Sequence, residues 1–246
     1  YNIEVEETQQ TNEQKEAASL RESMYAVTAF AQSYFSKALT ESEEGKNIGL
    51  SYFKERGFTD ESIERFHLGY SPDEWTALTN AATDAGFQME FLVSTGLTIE
   101  KGGKIFDRFK GRIMFPIHSM SGRVTGFGGR ILKQDKQAAK YMNSPESEVY
   151  QKSKMLYGLY QAKQHIAKES NCYLVEGYTD VIQMHQAGIQ NVVSSSGTAL
   201  TPDQVRLIRR LTNTITLLFD GDAAGIRAAI RGVDVILEAG MHVSIC

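Results

Sequence analysis

Cysteine, proline and tryptophan are scarce in this chain of 246 residues, with two, four and one of each. The two cysteines, Cys172 and Cys246, lie far apart, and neither has a Cys or His partner at zinc-ligand spacing. That pattern indicates neither a disulfide framework nor a zinc site, and both are read as buried thiols. No apolar run approaches the roughly 18 residues of a membrane span. The opening segment, Tyr1 to Gln10, lacks both the basic start and the apolar stretch of a signal peptide. The expectation is a cytoplasmic protein with no membrane partner. A Gly-x-x-x-x-Gly-Lys-Ser/Thr element is absent, so ATP hydrolysis by a P-loop has no support. The five histidines are scattered without ligand spacing and are assigned no chemistry.

What is present is enough for a real core: 41% hydrophobic residues and 10% aromatic, with 23% charged. The length is about 1.6 times that of a typical domain, which suggests two modest subdomains sharing one site. A formal net charge of -4 argues against a uniformly basic surface, but the distribution is uneven. Residues 101–140 hold ten Lys or Arg against two acids, Asp107 and Asp135, whereas residues 1–50 hold nine acids and four bases.

The first third reads as small helices. After a polar lead-in, Leu20, Met24, Val27, Phe30, Ala31, Tyr34 and Phe35 recur at helical spacing, which predicts an amphipathic helix from about Glu13 to Leu39. Shorter helical patterns follow over Asn47 to Phe53, Asp60 to Phe66 and Asp73 to Ala85. Trp75 and the apolar stripe are read as core or partner-facing residues. Beyond Gly102-Gly103 the runs Arg112 to His118 and Val124 to Arg130, separated by Ser121-Gly122, predict a β-hairpin. Gly126-Phe127-Gly128-Gly129 does not open a helix, so it is no dinucleotide fingerprint; a close backbone approach or a bulge accounts for it. Tyr141 to Tyr150 reads as a loop, and a helix follows from Leu159 to Lys168.

From Asn171 onward, strands and helices alternate, which implies a parallel sheet with helices on its faces. Pro202 after Thr201 marks one helix start, with Thr201 as its cap. In such sheets ligands gather beyond the carboxyl ends of the strands. Two apolar runs stop there at an acid: Tyr173-Leu174-Val175 at Glu176, with Asp180 close behind, and Thr216 to Phe219 at Asp220-Gly221-Asp222. Alternation along an extended segment would turn Asp220 and Asp222 the same way, and a divalent cation would relieve their repulsion. A structural reading stands beside this one, in which Asp180 or Asp222 caps a following helix. The basic block is a candidate phosphate-binding surface, with Phe106, Phe109, Phe127 and Tyr141 to meet bases; a solvated charged face is its structural counterpart.

LVEGYTDVI, SSSGTALT and LLFDGDAAG together resemble the Toprim domain of bacterial primases, topoisomerases and some nucleases. The upstream stretches YFKERGFTDESIERFHLGYSP, RIMFPIHSMSGRVTGFGGRIL and KYMNSPESEVYQKSKMLYGLY resemble the segment that precedes Toprim in DnaG-type primases, so the likeness runs from about Tyr34 onward. It implies an α/β fold with a Toprim-type parallel sheet and flanking helices, incomplete at its C-terminus, preceded by a mixed α+β subdomain. The expected divisions are a polar lead-in and helix over residues 1–46, a basic α+β subdomain over 47–168, and the incomplete Toprim domain over 169–246.

The resemblance further implies Mg²⁺ or Mn²⁺ held by Glu176, Asp180, Asp220 and Asp222, with Glu176, Asp220 and Asp222 catalytic. Arg56, Arg130, Lys140, Tyr141 and Lys152 are implied to bind template and nucleotide. The implied activity is primer synthesis: a DNA-directed RNA polymerase acting on single-stranded DNA, ribonucleoside triphosphates and the nascent RNA primer. A replicative helicase would be met through regions outside this sequence. The alternatives are a single-stranded nucleic-acid-binding module without catalysis, or another Toprim enzyme, a topoisomerase or nuclease.

Overall fold

The computed structural model of the chain describes residues 12–132 and 139–246. The polar lead-in, and Lys133, Asp135 and Lys136 of the basic block, lie outside these residues. Helix α1 (Asn12–Glu41) buries Met24, Val27, Ala31 and Phe35 of the predicted stripe and Leu39 beyond it, while Phe30 and Tyr34 are half-buried and Leu20 is exposed. A π-helical turn (Gly45–Leu50) leads into α2 (Ser51–Glu55), and α3 (Asp60–Arg65) starts at Thr59, whose side chain accepts from the Ser62 N–H.

Strand β1 (Gly69–Ser71) pairs with the first strand of the predicted hairpin, β4 (Arg112–His118), which pairs with β5 (Val124–Ile131). Between them lie α4 (Ala77–Asp84), α5 (Met89–Ser94) and a two-stranded ribbon, β2 (Thr98–Lys101) and β3 (Lys104–Asp107). The predicted helix over Asp73 to Ala85 begins four residues late. The buried Asp107 carboxylate accepts from the Leu78 and Thr79 N–H groups and fixes the α4 start there. Part of the stretch expected as a loop is a strand: β6 (Tyr141–Asn143) closes an antiparallel sheet of order β1-β4-β5-β6. Three residues beside Asn143-Ser144-Pro145 are too few for a periodicity signal, and pairing with β5 decides their state.

Every residue of β4 is buried, because this sheet is covered on both faces. Ile113, Phe115 and Ile117 join one core cluster, while Met114 points into the other, against Val27, Ala31 and Phe35 of α1.

A 3₁₀ turn (Lys152–Lys154) and α6 (Leu159–Glu169) lead to the second sheet. Its strands are β7 (Cys172–Val175), β8 (Val192–Ser194), β9 (Thr214–Leu217) and β10 (His242–Ile245), all parallel in the order β10-β9-β7-β8. The connecting helices are α7 (Tyr178–Gln186), α8 (Pro202–Arg209) and α9 (Ala223–Glu238). Thr201 caps α8 as expected, in a capping box with Gln204. Cys172 is buried, which pushes its thiol pKa up, but Cys246, which follows the edge strand β10, is exposed; the expectation of two buried thiols holds for Cys172 alone.

Helices α6, α8 and α9 share one core cluster with this sheet. Helix α7 belongs to the other sheet's core: Tyr178, Val181 and Ile182 pack with Ile113, Phe115 and Ile117 of β4. The two sheets are thereby locked together through α7, with Val175 of β7, Val192 of β8 and Tyr157 in the same cluster.

Candidate active site

The chain winds from β7 to β8 on one side of the second sheet, and from β9 to β10 on the other. The crevice between the carboxyl ends of β7 and β9 is therefore its topological switch point, where open parallel sheets bind ligands. Glu176 follows β7, and its Oε1 accepts a hydrogen bond of 2.9 Å from the Asp220 N–H beyond β9. Gly225 packs close by: a Cβ there would stand 2.1 Å from the Asp220 carbonyl oxygen and 2.9 Å from Glu176 Oε1.

The remaining acids are arranged differently from the expectation. Strand β9 ends at Leu217, so strand alternation does not orient Asp220 and Asp222. Asp222 is the N-cap of α9, its Oδ1 accepting from the Ala224 and Gly225 N–H groups at 2.8 Å each. Those amides, with Arg227 further off, hold its carboxyl below the usual carboxylate range. Asp180 reaches back from the third position of α7 to the Gly177 N–H at 2.9 Å. Asp220 is exposed, and its carboxylate enters no hydrogen bond or ion pair among the described residues. Among those residues no three His, Cys, Asp or Glu side chains are grouped to hold a metal ion. Asp180 and Asp222 each give one carboxylate oxygen to a helix start, and the four acids do not form a closed ligand set among the described residues. What remains fits a hard cation held by one or two exposed carboxylates, water and phosphate oxygens, and not a closed protein cage.

The cations come from the antiparallel side. Arg130, on β5, donates from Nη1 to the Tyr141 hydroxyl at 2.8 Å. Its guanidinium carbon lies 5.4 Å from the Tyr141 ring centroid and 5.0 Å from that of Tyr52, while Arg56 approaches the Tyr52 ring at 5.3 Å. Arg56 and Arg130, far apart in sequence, therefore meet at one aromatic ring, and Arg130 ties Tyr141, its partner across β5 and β6, to them. Lys140 is exposed beside Tyr141. Lys152 stands apart, its backbone tied to Glu146 and to Gln204 of α8.

Tyr178 connects the two halves. It follows Glu176-Gly177, stacks on Phe115 at 5.0 Å and 10°, and donates to Asn143 Oδ1 at 2.6 Å. Burial raises its phenol pKa. Its ring lies where a side chain on residue 128 would go: a Cβ on Gly128 would meet it at 2.4 Å, which gives the glycine-rich strand its reason. The Tyr141 and Tyr178 ring centroids are 6.2 Å apart, so the guanidinium cluster stands beside the end of β7.

Some expected nucleic-acid contacts are ruled out by burial. Phe109 and Phe127 are core residues, and Arg112 is buried, donating to the Gly129 and Ala139 carbonyls. Trp75, read as core or partner-facing, is 66% exposed and so not a core residue, with the Lys110 ammonium 4.7 Å from its ring centroid and Phe106 against its edge. Sequence reasoning also missed Tyr52, Asn143 and Tyr178, whose contacts join residues too distant in sequence to leave a local signal. A cavity of about 240 Å³ beside Glu176, lined by Thr198, Leu200, Phe219, Ala228 and Arg231 among others, was likewise not foreseen.

The family described as DNA primase catalytic core, N-terminal domain, matches residues 34–163, and the one described as Toprim-like matches residues 173–246. The chain belongs to the DnaG-type bacterial DNA primases. It is 43% identical over 226 residues to the DNA primase of Halalkalibacterium halodurans, covering 91% of this chain and 37% of that one. With the DNA primase of Deinococcus radiodurans it shares 41% identity over 223 residues, covering 89% and 38%. The chain thus spans well under half the length of these curated relatives. Among solved structures, the zinc-binding and RNA polymerase domains of Aquifex aeolicus primase align with a TM-score of 0.84 at 35% identity, over 92% of this chain and 55% of that one. A DnaG primase catalytic domain bound to single-stranded DNA aligns with a TM-score of 0.83 at 34% identity, over 93% and 74%. The primase family uses divalent metal, and its core fold is the one described above.

Proposed function

We propose that this chain is the nucleotidyl-transferring core of a primase, which joins ribonucleotides on a single-stranded DNA template in the bacterial cytoplasm. The observation that carries the reading is the meeting of Glu176 with the Asp220 backbone at the switch point, beside the Arg56, Arg130 and Tyr141 cluster. Residues 47–168 would clamp template and triphosphate, and residues 169–246 would carry the acids. In the reaction, the 3′ hydroxyl of one ribonucleotide attacks the α-phosphate of the next. A phosphorus–oxygen bond forms to that hydroxyl oxygen, the bond to pyrophosphate breaks, and Glu176 would take the hydroxyl proton. Asp220 and the second oxygen of Asp222 would hold Mg²⁺ or Mn²⁺, which when bound neutralises charge on the phosphates. Arg56, Arg130 and Lys140 would hold triphosphate and backbone phosphates, Tyr141 would face a base, and Lys152 would meet the strand further along. The exposed Trp75 with Lys110 offers a stacking face for a template base. Contacts with a replicative helicase fall to the parts of the relatives that this chain does not span.

The capping geometry of Asp222 and Asp180 favours a second reading, a single-stranded nucleic-acid-binding module whose acids are structural. Chelation separates the two. Labelled ribonucleotides are supplied with a single-stranded DNA template and Mg²⁺ or Mn²⁺, to this chain and to its Glu176→Gln variant. The expected result is metal-dependent, template-dependent RNA that falls by about 100-fold in the variant. No RNA under either metal, with DNA binding that survives chelation, would leave the binding module standing.

A further inference from the structure

Tyr52 is flanked by two guanidiniums, at 5.3 Å for Arg56 and 5.0 Å for Arg130, although like charges on adjacent elements would ordinarily turn away from each other. A phenol ring is negative on its faces, so one ring can hold two cations that repel when left to themselves. The Tyr52 ring is itself held edge-on by Phe53 at 5.5 Å, and Phe53 is fully buried against Phe58 and Phe115. The stack is therefore anchored in the core and does not depend on a mobile surface tyrosine. Arg130 has a second anchor in the Tyr141 hydroxyl. Neither Arg56 nor Arg130 pairs with a carboxylate among the described residues. The Arg130 Nε and the Tyr52 hydroxyl are both buried and neither has a well-aligned hydrogen bond, although Arg130 lies close enough to the hydroxyl to act on it as a donor. Burial raises the Tyr52 phenol pKa, and Arg130 and Arg56 work against that rise, as expected for cations close to the oxygen. The result is two fixed positive charges with donors to spare, a surplus that a chain of phosphates would neutralise.

We propose that Tyr52 is a positioning residue, whose ring holds Arg56 and Arg130 as a pair for the polyphosphate of an incoming ribonucleoside triphosphate. The inference rests on the reading of Arg56 and Arg130 as a triphosphate clamp. Tyr52 touches no phosphate itself; its hydroxyl is buried, and it acts through the two arginines. Removing the ring should therefore weaken triphosphate binding only while Arg130 is present, and removing the hydroxyl alone should matter little.

The experiment is a titration of this chain with fluorescently labelled GTP, for wild type, Tyr52→Phe, Tyr52→Leu, Arg130→Ala and the Tyr52→Leu/Arg130→Ala double variant, with thermal midpoints taken in parallel. Arg130→Ala and Tyr52→Leu are each expected to raise Kd about ten-fold, and Tyr52→Phe to stay within about two-fold. The double variant should bind no worse than Arg130→Ala alone, an outcome that a merely structural role for Tyr52 would not produce. Should Tyr52→Leu fail to fold, Tyr52→Met, an unbranched filler of the same space, is read in its place. If Arg130→Ala weakens binding while the ring-less variant does not, or if the two losses add in full, the positioning role is overturned and the clamp survives. If Arg130→Ala binds like wild type, clamp and positioning role fall together.

Discussion

The two halves of the site are built by opposite means. On the parallel sheet the acids are held by main chain: Glu176 by the Asp220 N–H, Asp180 by the Gly177 N–H, and Asp222 by two amides of α9. On the antiparallel side Arg130 is held by aromatic side chains, between Tyr52 and Tyr141, while Lys110, in the turn before β4, lies against the Trp75 ring and is also paired with the Asp73 carboxylate. A main-chain support is set by where a strand ends and a helix begins. An aromatic support exists only after distant segments have packed. The acid side should thus tolerate isosteric changes structurally while losing chemistry, and the cation side should lose geometry when a neighbouring ring is cut away.

The largest effect should come from Asp222, where capping and chemistry can be separated. Asn serves as an N-cap as well as Asp does, so Asp222→Asn should keep the thermal midpoint within about 1–2 °C of wild type. RNA synthesis in the same variant should fall by about 100-fold or more. Asp222→Ala should lose activity equally and also cost about 1 kcal/mol, which lowers the midpoint by about 2–4 °C. Full synthesis by Asp222→Asn would reduce Asp222 to a cap and leave the two halves of the site with no chemical contrast.

Next in size is the cation side. Trp75→Ala should weaken binding of a short single-stranded oligonucleotide by about ten-fold, the worth of one stacked base, with little change in the salt dependence. Arg130→Ala should weaken it less, and should reduce the slope of log affinity against log salt by about one, as one phosphate contact is lost. If Trp75→Ala changed the salt slope and Arg130→Ala did not, the roles given to ring and cation would be reversed.

The same contrast explains what was legible in the sequence. The run Leu174-Val175-Glu176-Gly177 shows a strand, its end and an acid at that end within four residues, and Pro202 and Thr201 show a helix start in two. Most of the parallel sheet could be written down from such local signals, and its adjacency of β7 and β9 follows from the way the connections wind. The antiparallel side gave fewer. Strands β1 and β6, three residues each, exist because β4 and β5 offer free edges to pair with. Phe109 and Phe127 sit among basic residues and look like base-stacking aromatics, yet both face the core cluster under α1. A charged neighbourhood in sequence does not say which way a side chain points. Tyr52, the centre of the guanidinium cluster, opens the stretch YFKERGFTD, but nothing in that stretch says that its ring would meet Arg130.

The smallest effect distinguishes the two regions by acid. His118, on β4, is buried with Nε2 2.9 Å from Gln32 Oε1 and its ring 5.6 Å from that of His67; burial, then the His67 charge, lowers its pKa to about 4. Its unfolded value is about 6.5. Because the unfolded chain takes up a proton that the folded chain refuses, the neutral side chain contributes stability that is fully present above about pH 6.5, and is lost as pH falls toward 4. Between pH 7 and pH 5 the loss should be about 1–2 kcal/mol, or about 2–6 °C in thermal midpoint. No buried histidine lies on the strands of the parallel sheet; His185, on α7, is buried and lowered to about 4 by burial, then by Arg65 and His165, so α7, which packs against β4, should loosen with the antiparallel half before β7 and β9 do. Amide hydrogen exchange at pH 5 and pH 7 checks this: protection of β4 and of the part of α1 around Gln32 should fall, while that of β7 and β9 holds. His118→Gln should flatten the pH dependence of exchange in β4. Loss of protection that begins in β7 and β9, or that is the same in the variant, would place the acid-sensitive contact in the half held by main chain.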